Sequence, residues 1–438
     1  MQKKCTLLSI LICSLINLLG QNSNCSSSLT LGISFPPVSN TEQRNFTKPY
    51  LDDLQIKKIR FAEDWALREP TKGNFNWSPL DERINWAYNN QYEILLTIQS
   101  NASTWACSNI KNGQSCVYSD NNDFKNYIDT LLKRYSGKIA KIQFGNEWQS
   151  DYWYAGNASQ FIASNNILYQ SAKQHSPTTK VVLGGFTTFS LRALAMCNGK
   201  INTFRDDEGN YYATPNCNNS LFINTKTRID SVLKHALYDM IDLHFYDDVE
   251  NWDIYYNNFS DTITKPIIVT EFGGPNLNYE LPYSDAFQAQ RLEQYIKKIE
   301  DLGVNEAYFF KLVQGSDANA AHLQSGLIDE NLNVKAAYNT FKNFSACTTS
   351  ENEISTKNDF MLFPNPAQNQ SVLTFKNPNN ESFHLEIFNS EGKSVKEISN
   401  LTGNSLSIEK NDLNKGLFFV VLRSPNNEYL TKKLLFIY

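Results

Sequence analysis

Ile267-Ile268-Val269-Thr270-Glu271-Phe272-Gly273-Gly274 is the stretch on which the fold turns. Three branched apolar residues in a row leave no polar face, so the strand they form must be covered on both sides. That is the pattern of a buried parallel strand, not of a half-solvated antiparallel one. The strand ends on an acid followed by two glycines. Working outward from 266–271, short apolar runs recur at 29–34, 56–62, 92–99, 139–145, 180–186, 239–245 and 306–312. Helical patterns separate them. In 123–135, Phe124, Ile128, Leu131 and Tyr135 share a face and Gly137 stops the run; in 286–302, Leu292, Tyr295, Ile296 and Ile299 do the same before Gly303. Ser78-Pro79-Leu80-Asp81-Glu82 reads as an N-cap, a proline at the first helical position and acids in the first turn. Eight strand–helix alternations within 29–345 predict an α/β fold, a (β/α)8 TIM barrel. No Gly-x-Gly-x-x-Gly follows the first strand, which removes the usual reason to prefer an open doubly wound sheet.

The chain of 438 residues has room for more than this barrel. Lys3 and Lys4 precede the apolar run Leu7 to Leu19, too short to span a bilayer and placed as the core of a signal peptide over residues 1–20. No other stretch is long and apolar enough to span. The predicted organisation is a catalytic barrel over 25–347, a polar linker over 348–359, and a tail over 360–438. In the tail the period changes to that of short strands between Asn, Gly and Pro turns, as in a small β-sandwich. Of the 8 cysteines, Cys5 and Cys13 fall in the leader, and the remaining even number in an export context favours disulfides. Local spacing points to Cys107–Cys116 and Cys197–Cys217, which leaves Cys25–Cys347 to tie the barrel's start to its end. The net charge of −5 and the lack of any Lys/Arg block argue against nucleic acid as a partner. A mildly acidic surface suits neutral or cationic material. With no Cys-x-x-Cys pair and scattered histidines, neither a metal nor a cofactor is expected.

Barrel enzymes carry their chemistry at the C-terminal ends of the strands. Two acids stand there: Glu147 in Ile142-Gln-Phe-Gly-Asn146-Glu147-Trp148, and Glu271 in the opening stretch. Strands four and seven face each other across the barrel mouth. Two carboxyls held close there have their pKa values driven apart by repulsion and burial, so one can be an acid while the other stays ionised. Asn146-Glu147 and Val-Thr-Glu271-Phe-Gly-Gly resemble the acid/base and nucleophile motifs of the clan A retaining glycoside hydrolases. Arg60 in Ile59-Arg-Phe, and His244 and Tyr246 in Asp242-Leu-His-Phe-Tyr, stand where that clan keeps residues around the nucleophile. The segment Trp65 to Trp77 and the segment Gly326 to Tyr338 are similar to further stretches of its families. The chain departs from many members in having Trp148 after the Asn-Glu pair, and Phe309-Phe-Lys311-Leu-Val in place of a tryptophan at the end of strand eight.

The resemblance implies hydrolysis of β-glycosidic bonds by double displacement, with Glu271 as nucleophile, Glu147 as acid/base and Asn146, Arg60, His244 and Tyr246 in support. Trp105 and Trp148 are expected to form a platform for sugar rings, with Gln99 and Lys311 donating to hydroxyls. Open aromatic loops favour endo action on a neutral polysaccharide; an exo-glycosidase and an inactive surface glycan-binding protein are the alternatives. In the tail, Phe363-Pro-Asn-Pro-Ala367, Phe388-Asn-Ser-Glu-Gly392, Asn414-Lys-Gly416-Leu-Phe-Phe-Val420 and Lys432-Lys433 resemble the sorting domain read by the type IX secretion machinery. That likeness implies a protein secreted or held at the cell surface.

Overall fold

The computed structural model describes residues 28–348 and 360–436, apart from breaks at 112–114, 151, 262, 316–318, 376, 378–379, 391, 411–412, 414 and 425–428. The leader and residues 349–359 of the expected linker lie outside the described residues, as does the Cys25 half of the proposed Cys25–Cys347 pair; Thr348, expected to open the linker, ends helix Ala336–Thr348. The chain divides into two compact units, Met1–Thr348 and Thr349–Tyr438.

The first unit is a closed barrel of eight parallel strands: β1 (Thr30–Ser34), β2 (Lys58–Glu63), β3 (Glu93–Ile98), β4 (Lys141–Phe144), β5 (Lys180–Phe186), β6 (Met240–Tyr246), β7 (Ile267–Gly273) and β8 (Glu306–Phe309). Each of the eight sequence runs overlaps one of them, with β2, β6 and β7 running one or two residues beyond the expected ends. Alternation along each strand sends every second side chain outward under the helices and the others into the barrel. The inward residues stack in layers. Lys58, Glu93, Lys141 and Glu306 interlock at the N-terminal end. Leu95, Val182, Ile268 and Tyr308 form an apolar plug above them. Arg60, Thr97, Gln143, Asp242 and Thr270 make a buried polar layer over that plug. Glycines admit two close approaches. A Cβ on Gly184 would lie 2.3 Å from the Gln143 side chain, and one on Gly185, at φ +73°, 2.2 Å from the backbone nitrogen of Glu147. The register between β5 and β6 shifts over the same residues.

Helices cover the outside for local reasons. Asn121–Arg134 starts at Asp120, whose side chain accepts from the Asn122 amide, buries Phe124, Tyr127, Ile128, Leu131 and Leu132, and ends on Lys133 and Arg134. Ala158–His175 opens with a reciprocal Asn157–Gln160 capping box. The Ser78 reading needs correction: helix Ser78–Asn89 begins at Ser78 itself, with Trp77 at the cap position and no side-chain cap bond. The disulfides Cys107–Cys116 and Cys197–Cys217 are formed. Among the described residues no helix is long and apolar enough to cross a membrane.

The second unit consists of two antiparallel sheets. One joins Phe360–Phe363, Gln370–Phe375 and Ser405–Glu409; the other joins Ser394–Leu401, Phe383–Asn389, Gly416–Arg423 and Tyr429–Phe436. Leu373, Leu385, Ile387, Ile408, Val420, Leu422 and Leu434 form a core of its own.

Candidate active site

At the C-terminal end of the barrel the polar layer converges on Glu271. Arg60 is fully buried in the middle of β2, not at its end, and spends every donor on its neighbours. Its Nη1 donates to Glu271 Oε1 at 2.5 Å and to Ser34 Oγ at 3.2 Å. Its Nε donates to Thr97 Oγ1 at 3.1 Å, and its Nη2 to Gln143 Oε1 at 3.0 Å and Asn146 Oδ1 at 2.7 Å. A planar fork held at five points fixes the carboxylate it binds. Tyr246, at the end of β6, donates its hydroxyl to the other oxygen, Glu271 Oε2, at 2.7 Å.

His244 sits between the two acids. Its Nδ1 is 2.8 Å from Glu147 Oε1 and 3.7 Å from Glu271 Oε2. Its Nε2 is 3.2 Å from Thr270 Oγ1 and 3.3 Å from Asp242 Oδ2. Burial pushes the imidazole pKa down, but the charges of Glu271 and Asp242 and the bonds to Asp242 and Glu147 outweigh it and raise the pKa to about 10. The ring is therefore an imidazolium at neutral pH, with both nitrogens donating. Burial also pushes the Glu271 carboxyl up, yet the His244 and Arg60 charges and the Tyr246 hydrogen bond bring it below the ordinary carboxylate value. Asp242, fully buried, is held low in the same way: burial raises it and His244 more than compensates. Asp242 accepts from the Thr270 amide at 2.9 Å, the Thr270 hydroxyl at 2.6 Å, Gln143 Nε2 at 2.6 Å and the Gly185 amide at 3.0 Å.

Glu147 differs from these groups. It lies just beyond β4 with φ +43°, a left-handed conformation that costs a non-glycine residue about 1–3 kcal/mol, and its side chain retains 22% exposure. The close approach of Gly185 accommodates this turn. One oxygen of Glu147 and one of Glu271 lie, with a His244 nitrogen, within 4.8 Å of one another. Three such atoms can hold a metal ion, and with a His244 nitrogen hydrogen-bonded to Glu147 they can equally share a proton.

The structure thus brings Arg60, Asn146, Glu147, His244, Tyr246 and Glu271 together. It separates the expected sugar platform. Trp148 is completely buried, stacked on Phe161 at 4.6 Å and edge-on to Phe186 at 5.5 Å, with the Arg228 guanidinium 5.6 Å away. The left-handed turn at Glu147 points the acid into the mouth and sends the next side chain under helix Ala158–His175, so Trp148 has no face for a sugar. Trp105 is half-buried, donating from Nε1 to the Glu69 carbonyl at 3.1 Å, with the Lys72 ammonium 5.6 Å from its ring. Gln99 and Lys311 follow β3 and β8 and are half-buried. The ring at the end of β8 is Phe310, which stands 6.2 Å from Phe35, 6.3 Å from Tyr246 and 4.8 Å from His322. Sequence reasoning passed over Asp242, Gln143, Thr270 and Gly185. Two signals were there: Asp242 is two residues before His244 and shares its face, and a Gly-Gly inside a strand marks a close approach.

A cavity of about 760 Å³ opens beside Glu147, within the range of ligand clefts. One of about 840 Å³ opens at the opposite end, by Tyr92, Glu93, Lys141 and Lys180, where the interlocked lysine–glutamate ring closes the barrel floor.

Residues 198–341 match the glycosyl hydrolase catalytic core, and residues 361–437 match the secretion system C-terminal sorting domain. A curated relative, endo-1,4-beta-xylanase 1 of Arabidopsis thaliana, is 23% identical over 154 residues; these are 34% of this chain, which spans only 15% of that relative. Among solved structures, xylanase 10B from Thermotoga maritima superposes with a TM-score of 0.51 at 15% identity, covering 73% of this chain and 95% of its own. A glucosidase from Croceicoccus marinus does so at 0.51 and 12%, covering 87% and 93%. A family 39 glycoside hydrolase from Bacteroides cellulosilyticus gives 0.50 and 12%, covering 89% and 81%. These three show a shared fold. The catalytic-core match lies in the barrel and the sorting-domain match in the tail: the chain carries a segment of a glycosyl hydrolase catalytic core on a (β/α)8 barrel, followed by a C-terminal domain that implies export through type IX secretion.

Proposed function

We propose that the barrel cleaves β-glycosidic bonds of a neutral polysaccharide with retention of configuration, Glu271 acting as nucleophile and Glu147 as acid/base. The observation that carries this reading is the pair of carboxylates at the ends of β4 and β7 with oxygens within 4.8 Å. Retaining enzymes keep their carboxyls about 5–5.5 Å apart, whereas inverting ones leave about 6.5–9.5 Å for a water. The environments divide the roles. Arg60, Tyr246 and His244 hold Glu271 ionised and aimed, as a nucleophile must be. Glu147 is the more exposed, facing the cavity where a leaving group departs. In the first step Glu271 attacks the anomeric carbon while Glu147 gives its proton to the departing oxygen. In the second, Glu147 takes a proton from water, whose oxygen displaces Glu271. Asn146, its carbonyl held by Arg60, keeps its amide group to donate to the 2-hydroxyl.

Endo action is part of this reading. Its support from an aromatic platform rests now on Trp105 alone, since Trp148 is buried; that burial is what favours the exo alternative. The test uses the exported protein against a panel of neutral β-glycans, with product anomers followed by NMR at early time. β-Configured first products that disappear in Glu271→Gln, released as a range of oligosaccharides, are the expected result. α-Configured first products would overturn retention, and release of one sugar size from chain ends would replace endo by exo. Binding without release from any glycan would favour the surface-binding alternative.

A further inference from the structure

The cavity beside Glu147 is walled mostly by segments that the proposed reaction does not use. Its floor is Glu147 and Gln149. One wall is Thr187, at the start of helix Thr188–Cys197, with Arg228 behind. The other is the tip of a small hairpin, Thr203–Arg205 paired with Tyr211–Ala213, which presents Asp207 and Glu208. The cavity touches Glu147 and Tyr246, while neither Glu271 nor Arg60 lines it. An acid that protonates a departing oxygen must have the departing sugar on its own side, and the sugar that is attacked stays with Glu271.

The hairpin wall is held in place. Cys197–Cys217 closes the insertion that contains it. Arg192, fully buried, donates to the Arg205 carbonyl at 2.8 Å and the Tyr246 carbonyl at 3.3 Å, and pairs with Asp247 and, at 3.6 Å, with Asp207. One guanidinium therefore ties the hairpin to the strand end whose hydroxyl binds Glu271. Asn276 and Asn278 donate to the Asp207 carbonyl at 2.8 and 2.7 Å, and Asp206 accepts from the Asn210 amide at 2.8 Å. Such a wall is pre-organised, so little ordering is lost when a ligand enters.

The chemistry of the lining selects the ligand. Asp206, Asp207 and Glu208 line the cavity together with Arg228, which donates to the Gly156 carbonyl at 2.8 Å; burial pushes the Asp207 carboxyl up, and Glu147 carries its proton while the leaving group is in place, so Asp206 and Glu208 supply the negative charge. Ionised carboxylates only accept hydrogen bonds, so they bind hydroxyl or ammonium donors and repel a carboxylate or sulfate. We propose that this cavity is the leaving-group site, that it takes a hydroxyl-rich sugar unit carrying no negative charge, and that the disulfide-closed hairpin with Glu208 sets this selectivity. The proposal rests on the double-displacement reading above.

Acceptor transfer tests it. A covalent glycosyl-enzyme is intercepted by whatever sugar occupies the leaving-group site, because the two half-reactions share that site. With an aryl β-glycoside as donor, methyl β-glucoside and methyl β-glucosaminide should give transfer products and methyl β-glucuronide should not. Glu208→Lys should shift the glucuronide-to-glucoside ratio toward the uronide on the order of tenfold. Transfer to the glucuronide at the rate of the glucoside, or a ratio unmoved by Glu208→Lys, would overturn the proposal. Preference between the glucoside and the glucosaminide tells whether hydroxyls or an ammonium are the donors recognised. If the first products are α-configured, the double-displacement reading fails and the site is judged by binding alone. Saturation-transfer NMR of the same three methyl glycosides on the intact protein should show contact with the first two and not the third. Equal contact for all three would refute the site.

Discussion

The two ends of this barrel are furnished with the same kinds of residue and come out differently. At the N-terminal end Lys58, Glu93, Lys141 and Glu306 alternate in sign and interlock: Lys58 reaches Glu93 at 2.8 Å and Glu306 at 3.0 Å, and Lys141 bridges the same two acids. Every charge there has two partners of opposite sign, and the ring is closed. At the C-terminal end Arg60 and His244 meet Asp242, Glu271 and Glu147. Two cations satisfy two buried acids and leave the third at the edge of a cavity, on a strained turn. A closed charge ring has no group left over for chemistry. An odd carboxyl that is hydrogen-bonded, partly solvated and next to a fixed carboxylate can exchange a proton. The difference between floor and mouth is one unmatched acid.

Removing acids from the mouth should give the largest effects. Glu271→Gln is expected to lower turnover by about 10⁴-fold or more, as loss of a nucleophile does in enzymes acting through a covalent intermediate. Glu147→Gln should cost about 10²–10⁴-fold on a glycan, the worth of general acid catalysis. The Glu147 loss should be smaller on an aryl glycoside, whose departing oxygen needs little protonation. Rates on the two substrates measure both. Equal losses on glycan and aryl glycoside would remove Glu147 from the acid role.

The floor should respond in stability and not in rate. Lys141→Met leaves Glu93 and Glu306 each with Lys58 as the remaining partner, Glu93 being part-exposed, which should lower unfolding free energy by about 1–2 kcal/mol. Turnover per folded molecule should stay at the wild-type level. Denaturant midpoints and rates on the same preparations decide it, and a fall in rate at unchanged stability would break the contrast between the ends.

That contrast explains what was legible beforehand. The strands were, because a doubly covered parallel strand has to be written in apolar residues, as Ile267-Ile268-Val269 is. Glu147 and Glu271 were, because an acid at the end of such a strand has no packing reason to be there. The direction of Trp148 was not: it depends on the φ +43° turn at Glu147, which depends in turn on Gly185 of the next strand. Nor was the floor ring. Lys58, Glu93, Lys141 and Glu306 are far apart in sequence, and each reads alone as an exposed charge at a strand start. Closure of the barrel is what sets them face to face.

The remaining expected effect bears on His244, the cation that makes the mouth asymmetric. Its pKa rises from 6.5 to about 10 on folding, so it adds stability that is complete below pH 6.5, declines as pH rises toward 10, and is lost above. Glu271 and Asp242, both held below their ordinary values, act in the opposite sense: their contribution is present at neutral pH and lost as pH falls through the acid range. His244→Asn removes the first dependence and weakens the second. The gap in urea midpoint between wild type and His244→Asn should be widest near pH 6 and narrow steadily toward pH 10. A gap of constant width would mean that the ring is neutral in the folded protein. Its hydrogen bond to Glu147 would then come from one tautomer and not from a fixed charge, and Arg60 and Tyr246 would hold Glu271 ionised.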